Sequence, residues 1–169
     1  MKIKTSWDLN IFYKSHTDPR IEIDLKKYEV LHDAFAKKYS KVDFTRDENS
    51  LLKALTDYET LAGDPSGSRA ILYFYYAKDL DAYDKKAEAE MSKITDRLTK
   101  ASNKIIFFEL ALGKIMASKQ KAFLASKKLA HFEYFLKNIF KRDKHNPVSY
   151  THLRAHETKA NLVCRLLLE

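Results

Sequence analysis

Eight apolar residues between Ala87 and Leu112 constrain this chain more than any other feature. Ala87, Met91, Ile94, Leu98, Ala101, Ile105, Phe108 and Leu112 succeed one another in steps of four and three, a heptad seam closing at Gly113. A stripe of that period is hidden from water only on a helix that lies against other helices. Ile106, Phe107 and Leu110 widen the apolar face, so the C-terminal end should be surrounded on more sides than the charged start at "DKKAEAE". Composition agrees: 3 Gly and 3 Pro leave little material for turns, and Lys, Ala, Leu and Glu favour helix. The expectation is an all-α protein, an antiparallel helical bundle or set of helical hairpins. A length of 169 residues makes it one domain, able to bury about two thirds of its unfolded surface.

Start and stop signals divide the chain further. In "SHTDPRIEIDL", Asp18 can cap a helix, Pro19 fits its first position and Glu22 sits in its first turn; Ile21, Leu25, Tyr28, Leu31, Phe35 and Tyr39 then recur at helical spacing. Thr45 and Glu48 have capping-box spacing, opening a helix through Leu51, Leu55, Tyr58 and Ala62. "GDPSGS" reads as a loop, and the apolar run "AILYFYYAKDL" after it as helix. Ser118 is placed to cap a short helix through Phe123 and Leu124. Leu129, Phe132, Phe135, Leu136, Ile139 and Phe140 mark a final amphipathic helix.

The formal charge of +8 comes mainly from Lys scattered among Asp and Glu, which suits solubility and attraction to acidic partners. A nucleic-acid surface would need those cations on one face with stacking aromatics between them. "FKRDKH", the nearest cluster, reads instead as cations complementing a helix C-terminus, so no nucleic-acid partner is expected. No run approaches a membrane span. The single Cys164 and the absence of an opening signal or transit segment favour a reducing, cytoplasmic setting.

One pair hints at zinc chemistry. His156 followed by Glu157 is the first half of HExxH, in which two histidines four apart grip zinc and the Glu activates its water. Four residues after His156 stands Ala160, so the second ligand is missing. His131 has no second His or Cys at metal spacing, His16, His32 and His145 are isolated in sequence and are assigned no chemistry, and the aromatic groups at 73–76 and 131–135 read as core. No Gly-rich phosphate loop and no G-x-S-x-G elbow occurs, and the paired carboxylates read as solvated helix faces. Candidate catalytic, cofactor-binding and metal-binding residues are therefore none.

"WDLNIFYKSHTDPRIEIDL", "LYFYYAKDLDAYDKKAEAEMSKITDRLTKASNKIIFFELALGKI" and "KQKAFLASKKLAHFEYFLKNIFKRDKHN" resemble, in that order, the N-terminal helical region of oligoendopeptidase F. That family comprises intracellular zinc metallopeptidases related to thimet oligopeptidase. The resemblance runs from about Trp7 to Asn146 and is densest in "LTKASNKIIFFELALGKI". It implies one lobe of a helical clamshell enzyme that hydrolyses short peptides. The family's zinc ligands and general base lie on HExxH and a downstream Glu-bearing helix of the C-terminal half, and no position here matches either. The resemblance thus implies zinc in the parent enzyme, none in this fragment, and a scaffolding or lid role for residues 1–146.

Residues 147–169 have another character. Val148 to Glu157 back-translates as GTC TCT TAT ACA CAT CTC CGA GCC CAC GAG, which resembles a transposase-type sequencing-library adapter. Leu162 to Leu168 reads back as CTC GTA TGC CGT CTT CTG CTT, similar to the flow-cell end of the same adapter; with AC opening the Thr158 codon as adapter, one base of Thr158, three of Lys159, three of Ala160 and one of Asn161 leave eight bases, the room an index barcode occupies. On this reading the tail is non-native, and His152, His156 and Cys164 carry no biological meaning. Truncation would leave the Phe132, Phe135, Ile139 and Phe140 stripe in need of the missing catalytic half, exposing an apolar patch. The alternative is a free-standing helical module that binds acidic partners.

Overall fold

The structure, a computed structural model, describes residues 8–143. The adapter-like reading of 147–169, with His156 and Glu157, lies outside them, as do Trp7 and His145. Within them all regular structure is helical. Helices α1 (Pro19–Tyr39), α2 (Glu48–Ala62), α3 (Ser66–Leu80), α4 (Lys85–Asn103), α5 (Ile106–Gly113), α6 (Ala117–Ala125) and α7 (Glu133–Asp143) are joined by short connections. Two 3-10 turns, Leu9–Ile11 and Lys127–Phe132, precede α1 and α7. Among the described residues no helix is long and apolar enough to cross a membrane.

Two hydrophobic cores share α1. Its first half gives Ile21 and Leu25 to a core with Tyr13, Ala70, Tyr73, Phe74, Ala77, Ala87 and Ile94, where α1, α3 and α4 pack together. Its second half gives Phe35 and Tyr39 to a core built with α2, α5, α6, the second 3-10 turn and α7. Phe108, fully buried, is the hub of that second core: its ring meets Phe35 edge-on at 5.2 Å and stacks with Phe44 at 4.7 Å and Tyr58 at 4.8 Å.

The heptad seam is buried as its period requires, but not on one helix. Ala87, Ile94, Ala101 and Phe108 are all buried, with Met91, Leu98 and Ile105 half-buried. The helix breaks between α4 and α5. The Lys104 and Ile105 amides bond to the Ala101 and Ser102 carbonyls, three residues back instead of four. Ser102 and Asn103, followed by β-branched Ile105 and Ile106, form a weak helical stretch, and the break lets the seam pass from the first core to the second. Periodicity cannot see such a break because the seven-residue spacing survives it.

Helix starts were legible in kind more than in residue. Asp18 caps α1 as expected, accepting the Arg20 amide at 2.9 Å, with Pro19 first in the helix. The start of α2 departs from the Thr45–Glu48 capping box. Asp47 accepts the Ser50 amide at 2.9 Å, a carboxylate cap at a position made electropositive by the helix dipole, and Thr45 turns to Asp43. On α2 Leu61 is buried where Ala62 is exposed. "GDPSGS" is loop only as far as Pro65; its serines and Gly67 belong to α3, whose first amide, that of Ser66, donates to Asp64 at 3.0 Å. Ser118 caps nothing: α6 begins one residue earlier, with Met116 at its cap position and no side-chain bond there. The last amphipathic segment starts as the 3-10 turn capped by Ser126 and becomes α-helical only at Glu133.

The patch expected on α7 is absent. Phe132, Ile139 and Phe140 are buried within the second core and Phe135 is half-buried against it. The helices already present cover this stripe.

Candidate functional site

A cleft of about 660 Å³ opens where the two cores meet, between α1, α2, α3 and the α4–α5 break. Leu61, Ile71, Leu98, Ile105, Ile106 and Leu110 give it an apolar lining, and Tyr28, His32, Tyr58, Ser102 and Glu109 supply its polar atoms. The break turns Ile105 and Ile106 toward it. Close packing shapes its wall: Gly67 lies against the Tyr28 ring, where a Cβ would come within 2.6 Å of two ring carbons.

The polar atoms are largely engaged with each other. Tyr28 Oη and Ser102 Oγ share a hydrogen bond of 2.8 Å, and the Ser102 hydroxyl also reaches the Leu98 carbonyl at 2.9 Å. Tyr58 donates its phenol to Glu109 Oε1 at 2.8 Å, while Arg142 approaches Glu109 Oε2 at 3.3 Å. Burial and that carboxylate acceptor both push the Tyr58 phenol upward, so it remains a neutral donor throughout the physiological range. His32 is buried, its ring 3.9 Å from that of Tyr28, with Nδ1 bonded to the Tyr28 carbonyl at 2.8 Å. Donation to that carbonyl makes Nδ1 the protonated nitrogen, and burial lowers the ring's pKa, favouring the neutral form. These groups can orient an apolar ligand; they include no activated nucleophile and no carboxylate pair poised for acid–base exchange.

A second buried network holds the opposite end of α1. Asp24 accepts from Tyr13 Oη at 2.7 Å and from Arg69 Nη1 at 2.9 Å, tying α1 to α3. Arg97 on α4 grips Glu22 at 2.6 Å and Glu29 at 2.8 Å, two acids seven residues apart on one face of α1. These networks brace the helices.

The zinc implied by the resemblance has no fitting ligand set among the described residues. His16 Nδ1 faces Asp84 at 3.5 Å, His131 Nε2 faces Glu59 at 2.7 Å on the surface, and His32 is packed as above. No three His, Cys, Asp or Glu side chains among the described residues converge as a metal site would require. The aromatic groups read as core divide. Tyr73, Phe74 and Phe132 are buried, whereas Tyr75 and Tyr134 are exposed. The partnerships of Tyr28 with Ser102 and Tyr58 with Glu109 left no trace in local spacing, because their partners are 74 and 51 residues away.

No protein-family model matches the chain, and no curated protein matches it. Among solved structures the fold is similar to the crystal structure of a candidate peptidase from Chlamydophila abortus, with a TM-score of 0.58 and 18% sequence identity. The match covers 92% of this chain and 26% of that one, so this chain spans about a quarter of the length of the structure it matches. At that identity the likeness concerns the fold alone: this helical arrangement also occurs as part of a larger candidate peptidase.

Proposed function

We propose that residues 1–146 are the N-terminal helical region of a cytoplasmic zinc metalloendopeptidase of the oligoendopeptidase F type, which hydrolyses short peptides. On this reading the region carries no catalytic residue. It is part of the lobe that walls and covers the peptide channel, while zinc and its HExxH motif belong to the C-terminal half.

The carrying observation is the fold match over 92% of this chain to a 26% portion of a candidate peptidase. The resemblance quoted over residues 7–25, 72–115 and 119–146 supports it. Residues 147–169 are proposed to be translated adapter sequence appended to this region.

Two measurements test the reading. The genomic locus should diverge from the coding sequence after about codon 146 and continue in frame to an HExxH motif; a stop codon there, or a frame without the motif, overturns it. The purified chain, supplied with zinc, should bind no stoichiometric metal and leave quenched fluorescent peptides uncut. Zinc-dependent turnover by this chain alone would sink the proposal.

A further inference from the structure

Positive charge is unevenly distributed along the fold. Across residues 8–103, 16 Lys and Arg are outnumbered by 18 Asp and Glu, whereas across 104–143 there are 9 against 3. The excess of the described residues therefore belongs to α6, α7 and the connections around them, since α5 carries Glu109 and no cation. Some of these cations are matched: Lys104 with Asp33, Lys128 with Glu48, Lys137 with Glu133 and Arg142 with Glu109. Lys121 and Lys141 are exposed and have no acidic partner among the described residues. With Lys137 they rim a slot of about 300 Å³ between α6 and α7, lined below by Ala117, Leu124 and Phe140.

The slot differs from two other clefts in one respect. The cleft between α1 and α4 sets Lys85, Lys86, Lys93 and Arg97 among Asp18, Glu22 and Glu90, and the Tyr28 cleft contains Asp64 and Glu109. Among the described residues no acid lines the α6–α7 slot. An occupant must therefore bring both an apolar group for the floor and negative charge for the rim.

We propose that this slot docks an acidic polypeptide segment that inserts one apolar side chain between flanking carboxylates. Leu124 is half-buried and Phe140 only 5% exposed, so the apolar surface lies beneath the lysines, where a side chain can enter. Ala117 opens α6, adding the positive end of its dipole to the lysines. A nucleic acid would call for exposed aromatics on which bases stack, and none lines the slot; Tyr134, the exposed aromatic of α7, is not among its residues. A bilayer would call for protruding apolar side chains beneath the cations, the reverse of this arrangement. The docking surface stands independently of the peptidase reading.

Binding of a fluorescein-labelled Glu-Glu-Phe-Glu-Glu-Leu-Glu peptide to the full chain, followed by anisotropy, tests it. Affinity should fall as salt rises, and combined Lys121→Glu and Lys141→Glu should weaken it by about tenfold or more. Ala117→Trp, which fills the slot without changing charge, should weaken it comparably. Lys37→Glu with Lys41→Glu, an equal charge change at exposed sites on and just after α1, should alter it by less than about twofold. Circular dichroism on each variant confirms the fold. Equal losses for the two reversals, no loss with Ala117→Trp, or tighter binding of a single-stranded oligonucleotide or phosphatidylserine vesicle than of the peptide overturns the proposal.

Discussion

Gly67 in the first turn of α3 lies so close to Tyr28 on α1 that a Cβ there would meet ring carbons Cδ2 and Cε2 at 2.6 Å and Leu98 Cδ2 at 3.3 Å. The Tyr28 ring is held by Ser102 through its hydroxyl and packed against His32, so it can yield only by disturbing those contacts. Helix propensity favours Ala over Gly by up to about 1 kcal/mol, less in a first turn, whereas overpacking costs about 1–3 kcal/mol. Gly67→Ala should therefore lower the urea midpoint, and Gly67→Val should lower it further. An unchanged or raised midpoint for Gly67→Ala would show that α1 and α3 are packed less tightly than the structure has them.

Asp64 joins α1 to the start of α3. Burial alone would raise its pKa, but Lys27 at 2.5 Å, the Ser66 hydroxyl and the Ser66 amide outweigh burial and hold it at about 2. The folded chain thus binds this proton more weakly than the unfolded one. The stabilisation is complete above the unfolded pKa, about 4, and is lost as pH falls toward about 2. Asp64→Asn should cost about 1–2 kcal/mol at pH 7, and the gap from the native chain should narrow below about pH 4 and close near pH 2. Urea titrations of both proteins across that range read the difference; a gap independent of pH would remove the ionic contribution.

Tyr58 and Arg142 converge on Glu109 but differ in burial. The phenol lies half-buried in the cleft, whereas the guanidinium is 61% exposed. Tyr58→Phe removes a hydrogen bond to a charged acceptor and should cost about 1–2 kcal/mol; Arg142→Ala, at the solvent-screened pair, should cost less than about 1 kcal/mol. Chemical denaturation of the two single variants and their double gives the ordering and the coupling. The reverse order would place the stabilising contact at the surface.

Phe108 should be the costliest of these positions. It is fully buried and its ring lies among Phe35, Phe44 and Tyr58, so Phe108→Ala leaves a cavity and should destabilise by about 3–5 kcal/mol. Phe108→Leu should recover much of that loss. If the Ala variant unfolds at room temperature, midpoints of Phe108→Leu against Ile115→Ala, a buried residue of the same core between α5 and α6, carry the comparison: Phe108→Leu should then be the milder change.

Helical class, the buried seam and most helix positions were legible because side-chain period and cap chemistry act over a few residues, and Ala87, Ile94, Ala101 and Phe108 keep their seven-residue spacing in sequence and in burial alike. The α4–α5 break was invisible to periodicity because the seven-residue spacing runs straight through it, and a weak stretch such as Ser102–Asn103 need not break a helix unless packing on either side favours it. The same limit applies to the clefts. Tyr28 and Tyr58 looked like ordinary stripe residues, and their hydroxyl partners, Ser102 and Glu109, are set by which helices meet. Nor could spacing show that Lys121 on α6 and Lys141 on α7 rim one slot around Leu124 and Phe140. Hydrophobic period and capping are local and can be read along the chain, whereas a partner 50 or more residues away is chosen only when the helices pack, by the competition of all their apolar faces for burial.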